Sequence, residues 1–373
     1  MNVMIERAGG SAVRIPAARM LIDGQWCDGI EGRLIAVHDP ATEEKIADVV
    51  AATAADVDRA VQAAHRAYES PSWQKMRPLD RGRLLERLAL LIERDADDLA
   101  RLETLDNGKP YGVSRNVDMK FAMDALRYYG GWSSKMAGEY IQLSPFFDDG
   151  GTYRAYTERR PVGVVGGITP WNFPLGQAVQ KLAPAIAFGC TVVLKPSEEA
   201  SLTTLRLGEL ILEAGFPEGT VNIVTGYGHE AGQALVDHPL VRKIAFTGST
   251  LTGQKILAAS ARTMKRVTLE LGGKSPTIVL ADADLDQAIP GAANAIFPNS
   301  GQVCTAGSRL LVEASIFDEV TQGVARLAQD LKLGSGFDPL VQLGPLVSAR
   351  QLDRVSALVA KGIEEGISIA RPC

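Results

Sequence analysis

The sequence predicts an α/β fold in which helices cover both faces of a doubly wound parallel sheet. After Pro161, short apolar segments typical of buried strands alternate with longer segments whose apolar residues keep helical spacing. The chain has 373 residues, which is more than one hydrophobic core usually serves, so we expect at least two lobes.

The region before this alternation is predicted to be mostly helical for its first 130 residues or so. Thr53 is placed to cap a helix that runs to about Ser70. From Asp80 to Leu105 the leucines and isoleucine keep helical spacing, and Gly108 supplies a stop.

Residues 137–160 mix Gly, Pro, aromatic and β-branched residues, which predicts a strand hairpin that leaves the main body. The strands predicted after Pro161 are "GVVGGI", "TVVLK", "VNIV", "KIAFT", "VTLEL" and "TIVL". The helices predicted between them include "PLGQAVQKLAPAIAFG", "SLTTLRLGELILEAG" and "TGQKILAAS". Such alternation indicates a dinucleotide-type sheet, and a second α/β unit begins near Leu271.

Composition excludes several classes of function. With 46% hydrophobic and 22% charged residues and a net charge of -5, the chain has no basic stripe for nucleic acid or membrane surfaces. The N-terminus lacks the apolar run of a signal peptide, so we expect a cytoplasmic protein. Its four cysteines and four histidines form no ligand-like spacing, so we expect reduced thiols and no metal.

Two glycine segments are candidates for holding a phosphate group. "VNIVTGYGHEAG", with Gly228 at its centre, is one residue longer than the dinucleotide fingerprint. "FTGSTLTGQK" follows a strand and opens a helix, so its backbone N–H groups can face a diphosphate. Ordinary glycine turns are the alternative for both segments.

"VVLKPSEEA" places Lys195 and Glu198 just beyond a buried strand, where open α/β sheets bind ligands. Such a pair can hydrogen-bond ribose hydroxyls, and a carboxylate there repels a 2′-phosphate, which favours NAD over NADP. A solvated ion pair is the alternative.

Three further segments each contain a residue suited to catalysis. Asn172 in "ITPWNFPL" can donate to an oxyanion, or only to its own turn. Glu270 in "RVTLELGGKSP" interrupts an apolar strand, either as a buried general base or as an outward-facing carboxylate. Cys304 in "FPNSGQVCTAGSRL" lies among small and polar residues, which favours a reactive thiol over an inert core cysteine.

Together these segments resemble the aldehyde dehydrogenase superfamily, whose motifs "TPWNFPL", "KPSE", "FTGST", "LELGGKSP" and "GQVCTAGSR" match in order and separation from about Ile22 to about Gly366. The amino-acid sequence around these motifs looks most similar to phenylacetaldehyde- and betaine-aldehyde-type bacterial members. The resemblance implies a Rossmann-like sheet and oxidation of an aldehyde to a carboxylic acid with NAD, with NADP less favoured.

The resemblance also implies roles for single residues. Cys304 would attack the aldehyde to give a thiohemiacetal and then a thioester, Asn172 and the Cys304 N–H would hold the oxyanion, and Glu270 would activate the hydrolytic water. The residues implied to contact NAD are Ile168, Thr169, Pro170, Trp171, Lys195, Glu198, Gly228, Gly248, Ser249, Gly253 and Leu271. The residues implied to shape the substrate tunnel are Phe173, Gln177, Gln180, Phe297, Val303 and Thr305.

On this resemblance the NAD-binding domain comprises residues 1–136 and 159–270, a bridging and oligomerisation hairpin covers 137–158, and the catalytic domain covers 271–373. Full-length relatives are expected to form homodimers or homotetramers, and the expected partner is a small aldehyde. The family usually continues well beyond this point, so we expect a truncated catalytic domain and a chain that is aggregation-prone or weakly active.

Two alternatives stay open. A CoA-acylating semialdehyde dehydrogenase is one, although such relatives lack the glutamate that is Glu270 here. A catalytically silent remnant that binds nucleotide or associates with full-length subunits is the other.

Overall fold

The structure is a computed structural model that describes residues 3–7, 11–144 and 151–370. Its strands are β1 (Val3–Arg7), β2 (Ser11–Ile15), β3 (Met20–Ile22), β4 (Gln25–Cys27), β5 (Leu34–His38), β6 (Lys45–Val50), β7 (Tyr140–Ile141), β8 (Ala155–Tyr156), β9 (Val164–Ile168), β10 (Thr191–Lys195), β11 (Val221–Ile223), β12 (Val241–Gly248), β13 (Arg266–Leu271), β14 (Pro276–Val279) and β15 (Arg309–Val312).

The α-helices that connect and cover the strands are α1 (Ala54–Glu69), α2 (Pro71–Gln74), α3 (Pro78–Arg94), α4 (Ala96–Asn107), α5 (Tyr111–Val113), α6 (Met119–Trp132), α7 (Pro174–Ala187), α8 (Leu202–Glu213), α9 (Gln233–Asp237), α10 (Thr250–Ser260), α11 (Leu285–Ile296), α12 (Phe317–Asp330) and α13 (Ala349–Glu364). None of the helices in these described residues is long and apolar enough to cross a membrane.

The main sheet has seven strands in the order β13-β12-β9-β10-β11-β3-β4. The five strands from β13 to β11 run parallel, and β3 and β4 add antiparallel at one edge. Every residue of β9 and β10 is buried, which is typical of a parallel sheet with helices on both faces. The predicted α/β class is confirmed, with a mixed rather than a purely parallel sheet.

Successive side chains of β10 pack into two different hydrophobic clusters, one on each face of this sheet. Val192 and Leu194 join the cluster that contains α3, α4 and α7, whereas Val193 joins the cluster that contains α1. Glycine in β9 permits close packing, because a Cβ on Gly167 would lie 2.8 Å from Leu194 Cδ2.

The predicted first helix is confirmed at its cap. Thr53 Oγ1 accepts from the Asp56 N–H at 3.3 Å, and Asp56 Oδ2 accepts from the Thr53 N–H at 3.0 Å, which forms a capping box at the start of α1. The stop at Gly108 is also confirmed, because this residue has φ 89°.

The first 130 residues are mostly helical, as expected, but six short strands precede α1, and two of them extend the main sheet. The helix predicted from Asp80 to Leu105 is two helices, α3 and α4, because the backbone leaves helical geometry at Asp95. The Asp95 carboxylate accepts hydrogen bonds from Arg94 and Arg206 at this break.

The predicted hairpin is present as β7 paired antiparallel with β8, and its tip at residues 145–150 lies outside the described residues. After Leu271 the chain forms the parallel pair β14 and β15 and the helices α11, α12 and α13. No residue of α13 is buried.

Candidate active site

The order of the parallel strands places a topological switch point at the carboxyl ends of β9 and β12, where a ligand crevice is expected. From β9 the chain proceeds outward through β10 and β11 on one side, and through β12 and β13 on the other. At such a switch point two neighbouring strands feed connections to opposite faces, and open α/β sheets bind ligands there. Thr169 leaves β9 at this edge, and Ser249 leaves β12.

The N-terminus of α10 faces this crevice with groups suited to an anion. Ser249 is exposed and caps the helix, since its Oγ accepts from the Thr252 N–H at 3.3 Å. The first N–H groups of a helix carry partial positive charge, which attracts phosphate. Gly228 is exposed at the start of another helical turn, with no atom within 4 Å of a Cβ placed on it.

Gly253 lies against the side chain of Leu271. A Cβ on Gly253 would lie 2.7 Å from Leu271 Cδ2. The glycine therefore lets α10 pack closely against the end of β13. Gly248 ends β12, and Phe246 Cζ would meet its Cβ at 2.5 Å.

Lys195 and Glu198 form an ion pair at the end of β10. The Lys195 Nζ atom lies 3.1 Å from Glu198 Oε2, and the lysine side chain is 2% exposed. Burial lowers the pKa of Lys195, and the Glu198 carboxylate opposes that effect. Burial also pushes the pKa of Glu198 upward, but Lys195 and a backbone N–H outweigh it, so the net shift is downward. A carboxylate held ionised in this way can accept hydrogen bonds from ribose hydroxyls.

A buried hydroxyl at the switch point is suited to bind a dinucleotide. Thr169 is 4% exposed, and its Oγ1 has no hydrogen-bond partner among the described residues. A buried polar atom without a partner is costly, so a ligand atom is expected to satisfy it. Ile168 beside it is buried, whereas Pro170 and Trp171 are partly exposed. The donor set therefore suits a phosphate flanked by ribose.

Cys304 lies on a loop whose backbone is left-handed at three consecutive residues shortly before the cysteine. Asn299, Ser300 and Gly301 have φ of 51°, 54° and 75°. Left-handed backbone is unfavourable for a serine. The Ser300 hydroxyl donates to the Gly344 carbonyl at 2.7 Å and holds the bend. Cys304 itself is a free, half-exposed thiol, so the predicted accessible cysteine is present.

Asn172 contacts the Cys304 loop directly. Its Nδ2 donates to the Gln302 carbonyl at 2.8 Å, and an amide nitrogen has a second N–H that remains available. The backbone on either side of the Asn172 N atom is also held, because Asn107 Nδ2 donates to the Trp171 carbonyl at 2.6 Å and Lys109 Nζ donates to the Asn172 carbonyl at 2.7 Å. Sequence reasoning identified Asn172 but missed Lys109.

Glu270 is exposed on the edge strand β13 rather than buried in the sheet. It opens into a cavity of about 1000 Å³ whose walls include Gln180 and Lys181. Burial lowers the pKa of Lys181, and the negative charge of Glu270 partly offsets this effect. Lys181 also donates to Thr247 Oγ1 at 2.6 Å. As far as the described residues go, Cys304 does not line this cavity.

The glycine segment after Glu270 brings the end of β13 close to the Cys304 loop. A Cβ placed on Gly273 would lie 3.5 Å from the Cys304 carbonyl oxygen. The two segments are therefore neighbours along the same edge, although the structure shows no direct contact between the Glu270 carboxylate and the sulfur.

The predicted tunnel residues surround the start of α7 and the Cys304 loop with differing exposure. The Phe173 ring centroid lies 4.4 Å from Lys109 Nζ, and Gln177 carries a buried Oε1 without a partner in the described part of the chain. Gln180 lines the cavity beside Glu270. The remaining predicted wall residues are half-buried or exposed: Phe297, Val303 and Thr305.

An ion pair connects α13 to the loop after β10, because Arg350 Nη2 lies 2.6 Å from Glu199 Oε1. This contact was not predicted, because Arg350 and Glu199 lie far apart in the sequence. Within the described residues, no group of three His, Cys, Asp or Glu side chains is close enough to hold a metal ion.

Comparison with known proteins shows consistent similarity. The sequence model of the aldehyde dehydrogenase family matches residues 26–372, which extends a few residues beyond the end of the motif resemblance at Gly366. A putative aldehyde dehydrogenase of Bacillus subtilis is 48% identical over 93% of this chain and 69% of its own length. Phenylacetaldehyde dehydrogenase of Pseudomonas fluorescens is 48% identical over 96% of this chain and 71% of its own length.

The solved structures show the same similarity. The NAD+ complex of an aldehyde dehydrogenase from Bacillus cereus superimposes with a TM-score of 0.91 at 45% identity, covering 95% of this chain and 71% of the other.

Proposed function

The chain belongs to the aldehyde dehydrogenase family, and from this premise we propose that it oxidises an aldehyde to the carboxylic acid with NAD+ through a covalent adduct on Cys304. The observation that carries the proposal is the contact between Asn172 Nδ2 and the Gln302 carbonyl. It brings an amide donor beside the loop of a free, half-exposed thiol.

The residues supply each part of the reaction in turn. The Cys304 sulfur, as thiolate, attacks the carbonyl carbon and forms a C–S bond, and the resulting oxyanion is held by the second Asn172 N–H and the Cys304 backbone N–H. NAD+, held by the crevice residues named below, would supply the hydride acceptor for this carbon, and Cys304 would then carry a thioester. Glu270 removes a proton from the water that attacks the thioester, and the Cys304 thiolate leaves as the acid forms. The balance is aldehyde, NAD+ and water to acid, NADH and protons.

The proposed cofactor site follows the crevice described above. Lys195 and Glu198 would hold the adenosine ribose, and the N-terminus of α10 at Ser249 would bind the diphosphate. The Thr169 hydroxyl, which has no hydrogen-bond partner among the described residues, would form a hydrogen bond with the cofactor. The other proposed contacts are Ile168, Pro170, Trp171, Gly228, Gly248, Gly253 and Leu271.

The domain boundaries are part of the same proposal. We infer an NAD-binding domain of residues 1–136 and 159–270, a hairpin of 137–158 and a catalytic domain of 271–373. The seven-stranded sheet and its crevice lie within the first, and the Cys304 loop lies within the third.

The substrate class is an aldehyde of medium size. The half-buried Phe173 and Phe297 offer apolar walls, while Gln177 and Thr305 are polar. Similarity to phenylacetaldehyde dehydrogenase of Pseudomonas fluorescens makes phenylacetaldehyde the first compound to test.

A catalytically silent nucleotide-binding chain is the second candidate. Apolar side chains on β14 and β15 are exposed, among them Ile278 at 63% and Leu311 at 51%. Leu358 on α13 is also 62% exposed. Such faces favour self-association, which would limit turnover by the isolated chain.

An aldehyde panel followed at 340 nm with NAD and with NADP tests the proposal. Cys304→Ala is expected to abolish NADH formation, and Cys27→Ala, which removes another half-buried thiol, is the matched control. Full turnover by Cys304→Ala contradicts the mechanism. Binding of NAD without turnover by the unaltered chain supports the silent candidate, and dependence on added CoA supports an acylating enzyme.

A further inference from the structure

Lys109 is a fully buried cation at the end of α4. Its Nζ atom lies 3.2 Å from Glu103 Oε1, 2.6 Å from Asp118 Oδ2 and 2.7 Å from the carbonyl oxygen of Asn172. The Lys109 side chain is 0% exposed. A protonated lysine has three N–H donors, so these contacts use all of them.

Two buried carboxyl groups, those of Glu103 and Asp118, surround the Lys109 ammonium. Burial, and then the neighbouring Asp118, raises the pKa of Glu103, while Lys109 opposes the shift. One carboxylate would neutralise the ammonium. Replacing buried ion pairs by apolar residues of similar volume is often neutral or stabilising. Two N–H groups of Lys109 meet carboxyl oxygens, and the third holds the Asn172 carbonyl, which connects this buried cluster to the Asn172 loop.

The same cluster fixes the residues that follow Asn172. The Phe173 ring centroid lies 4.4 Å from the Lys109 ammonium. The second oxygen of Glu103 accepts from the Leu175 N–H at 3.4 Å, at a helix start where Phe173 provides no side-chain cap. Lys109 and Glu103 thus hold the loop from Asn172 to the first turn of α7.

Asn172 is consequently fixed from two sides. Lys109 holds its backbone carbonyl, and the Gln302 carbonyl accepts one of its two side-chain N–H groups. Asn299 Nδ2 lies 3.4 Å from both carbonyl oxygens. Because the backbone carbonyl and one side-chain N–H of Asn172 are both held, the orientation of the other side-chain N–H is fixed as well.

We propose that Lys109 is a positioning residue for the oxyanion site: by holding the Asn172 carbonyl, it directs the free Asn172 N–H toward the oxygen of a carbonyl bonded to Cys304. The inference rests on the proposed function, because it assigns Lys109 a role through Asn172. A misplacement of about 1 Å in such a donor costs about a hundredfold in rate.

The test compares a charge-neutral replacement with and without Asn172. Lys109→Met is combined with Glu103→Gln and Asp118→Asn, so that no uncompensated charge is buried. Two readouts are measured, NADH formed from phenylacetaldehyde and p-nitrophenolate released when p-nitrophenyl acetate acylates Cys304 without NAD. Lys120→Met, an exposed lysine on the neighbouring helix, is the matched control.

We expect the neutral variant to melt within a few degrees of the unaltered chain and to be acylated about 10- to 100-fold more slowly. On an Asn172→Ala background the same replacement is expected to slow acylation less than about twofold, because its effect passes through Asn172. Lys120→Met is expected to change neither rate. If the neutral variant does not fold, Asp118→Asn alone is compared on the two backgrounds, and a loss confined to the Asn172 background is expected.

Wild-type acylation by the neutral variant overturns the inference, and so does an equal loss on the Asn172→Ala background. An unaltered chain that releases p-nitrophenolate but oxidises no aldehyde contradicts the proposed function while the coupling between Lys109 and Asn172 is still measured. An unaltered chain that reacts with neither probe overturns both.

Discussion

Replacing Glu198 by glutamine is expected to shift cofactor preference from NAD toward NADP by about 10- to 30-fold. The Glu198 carboxylate pairs with Lys195 at 3.1 Å. Burial pushes its pKa upward, but the neighbouring ammonium outweighs burial and the net pKa is lowered. Glu198 is therefore ionised at neutral pH, where it repels a 2′-phosphate.

The magnitude follows from the charge and exposure of this side chain. Two unit charges about 5 Å apart repel by about 3 kcal/mol at an effective dielectric constant of about 20. The Glu198 side chain is 21% exposed, and Lys195 stays in place, so solvent screening and the cation reduce the effect to about 1.5–2 kcal/mol. That difference corresponds to about 10- to 30-fold in binding.

Calorimetric titration with NAD and NADP measures the ratio without requiring turnover. Glu199→Gln is the matched control, because Glu199 has a similar exposure of 20% but pairs with Arg350. An unchanged ratio in Glu198→Gln, or an equal shift in Glu199→Gln, refutes the reasoning. Higher salt should reduce the effect.

Three further predictions concern stability and thiol reactivity. Asp95→Asn should lower the free energy of unfolding by about 1.5 kcal/mol at pH 7. Hydrogen bonding from Arg94 lowers the pKa of Asp95, so in urea unfolding this deficit should be constant above about pH 5 and shrink below about pH 4. Cys190 should resist iodoacetamide at pH 8 in the folded chain, as mass spectrometry would show, because it is 7% exposed and burial raises its pKa. Gly167→Ala should lower the free energy of unfolding by about 1–3 kcal/mol, since its Cβ would lie 2.8 Å from Leu194 Cδ2.

Each of these expectations has a matched comparison. A deficit of Asp95→Asn that grows on acidification contradicts the assigned sign. Alkylation of Cys190 as fast as that of the half-exposed Cys304 shows that its site opens in the native state. Gly112→Ala, where no atom lies within 4 Å of the added Cβ, should leave stability nearly unchanged, and an equal loss in the two glycine variants argues against crowding at Gly167.

The part of the site that could be predicted from sequence is the part that follows strand ends. Lys195, Thr169 and Ser249 each come directly at or after the end of a parallel strand, and such ends share one edge of a sheet. The helix cap at Thr53 could also be predicted, because its hydrogen-bond partner Asp56 is only three residues away.

Elements that depend on distant partners were predicted less well. The six strands before α1 are short, and β3 pairs with β11 across about two hundred residues. The break at Asp95 depends on Arg206, which lies 111 residues further along the chain. Exposure of Glu270 follows from the edge position of β13, which a pattern of alternating residues does not reveal.

Lys109 shows why a buried positioning residue escapes such reasoning. Its acceptors lie 6, 9 and 63 residues away, and only the last of them touches the Cys304 loop. In sequence it looks like any lysine after a helix-ending glycine. The usable signal is on α4 instead, where Glu103 stands at a fully buried position among leucines. Because a carboxylate on an apolar stripe requires a donor, a nearby cation should be read as its buried partner before it is assigned to the surface.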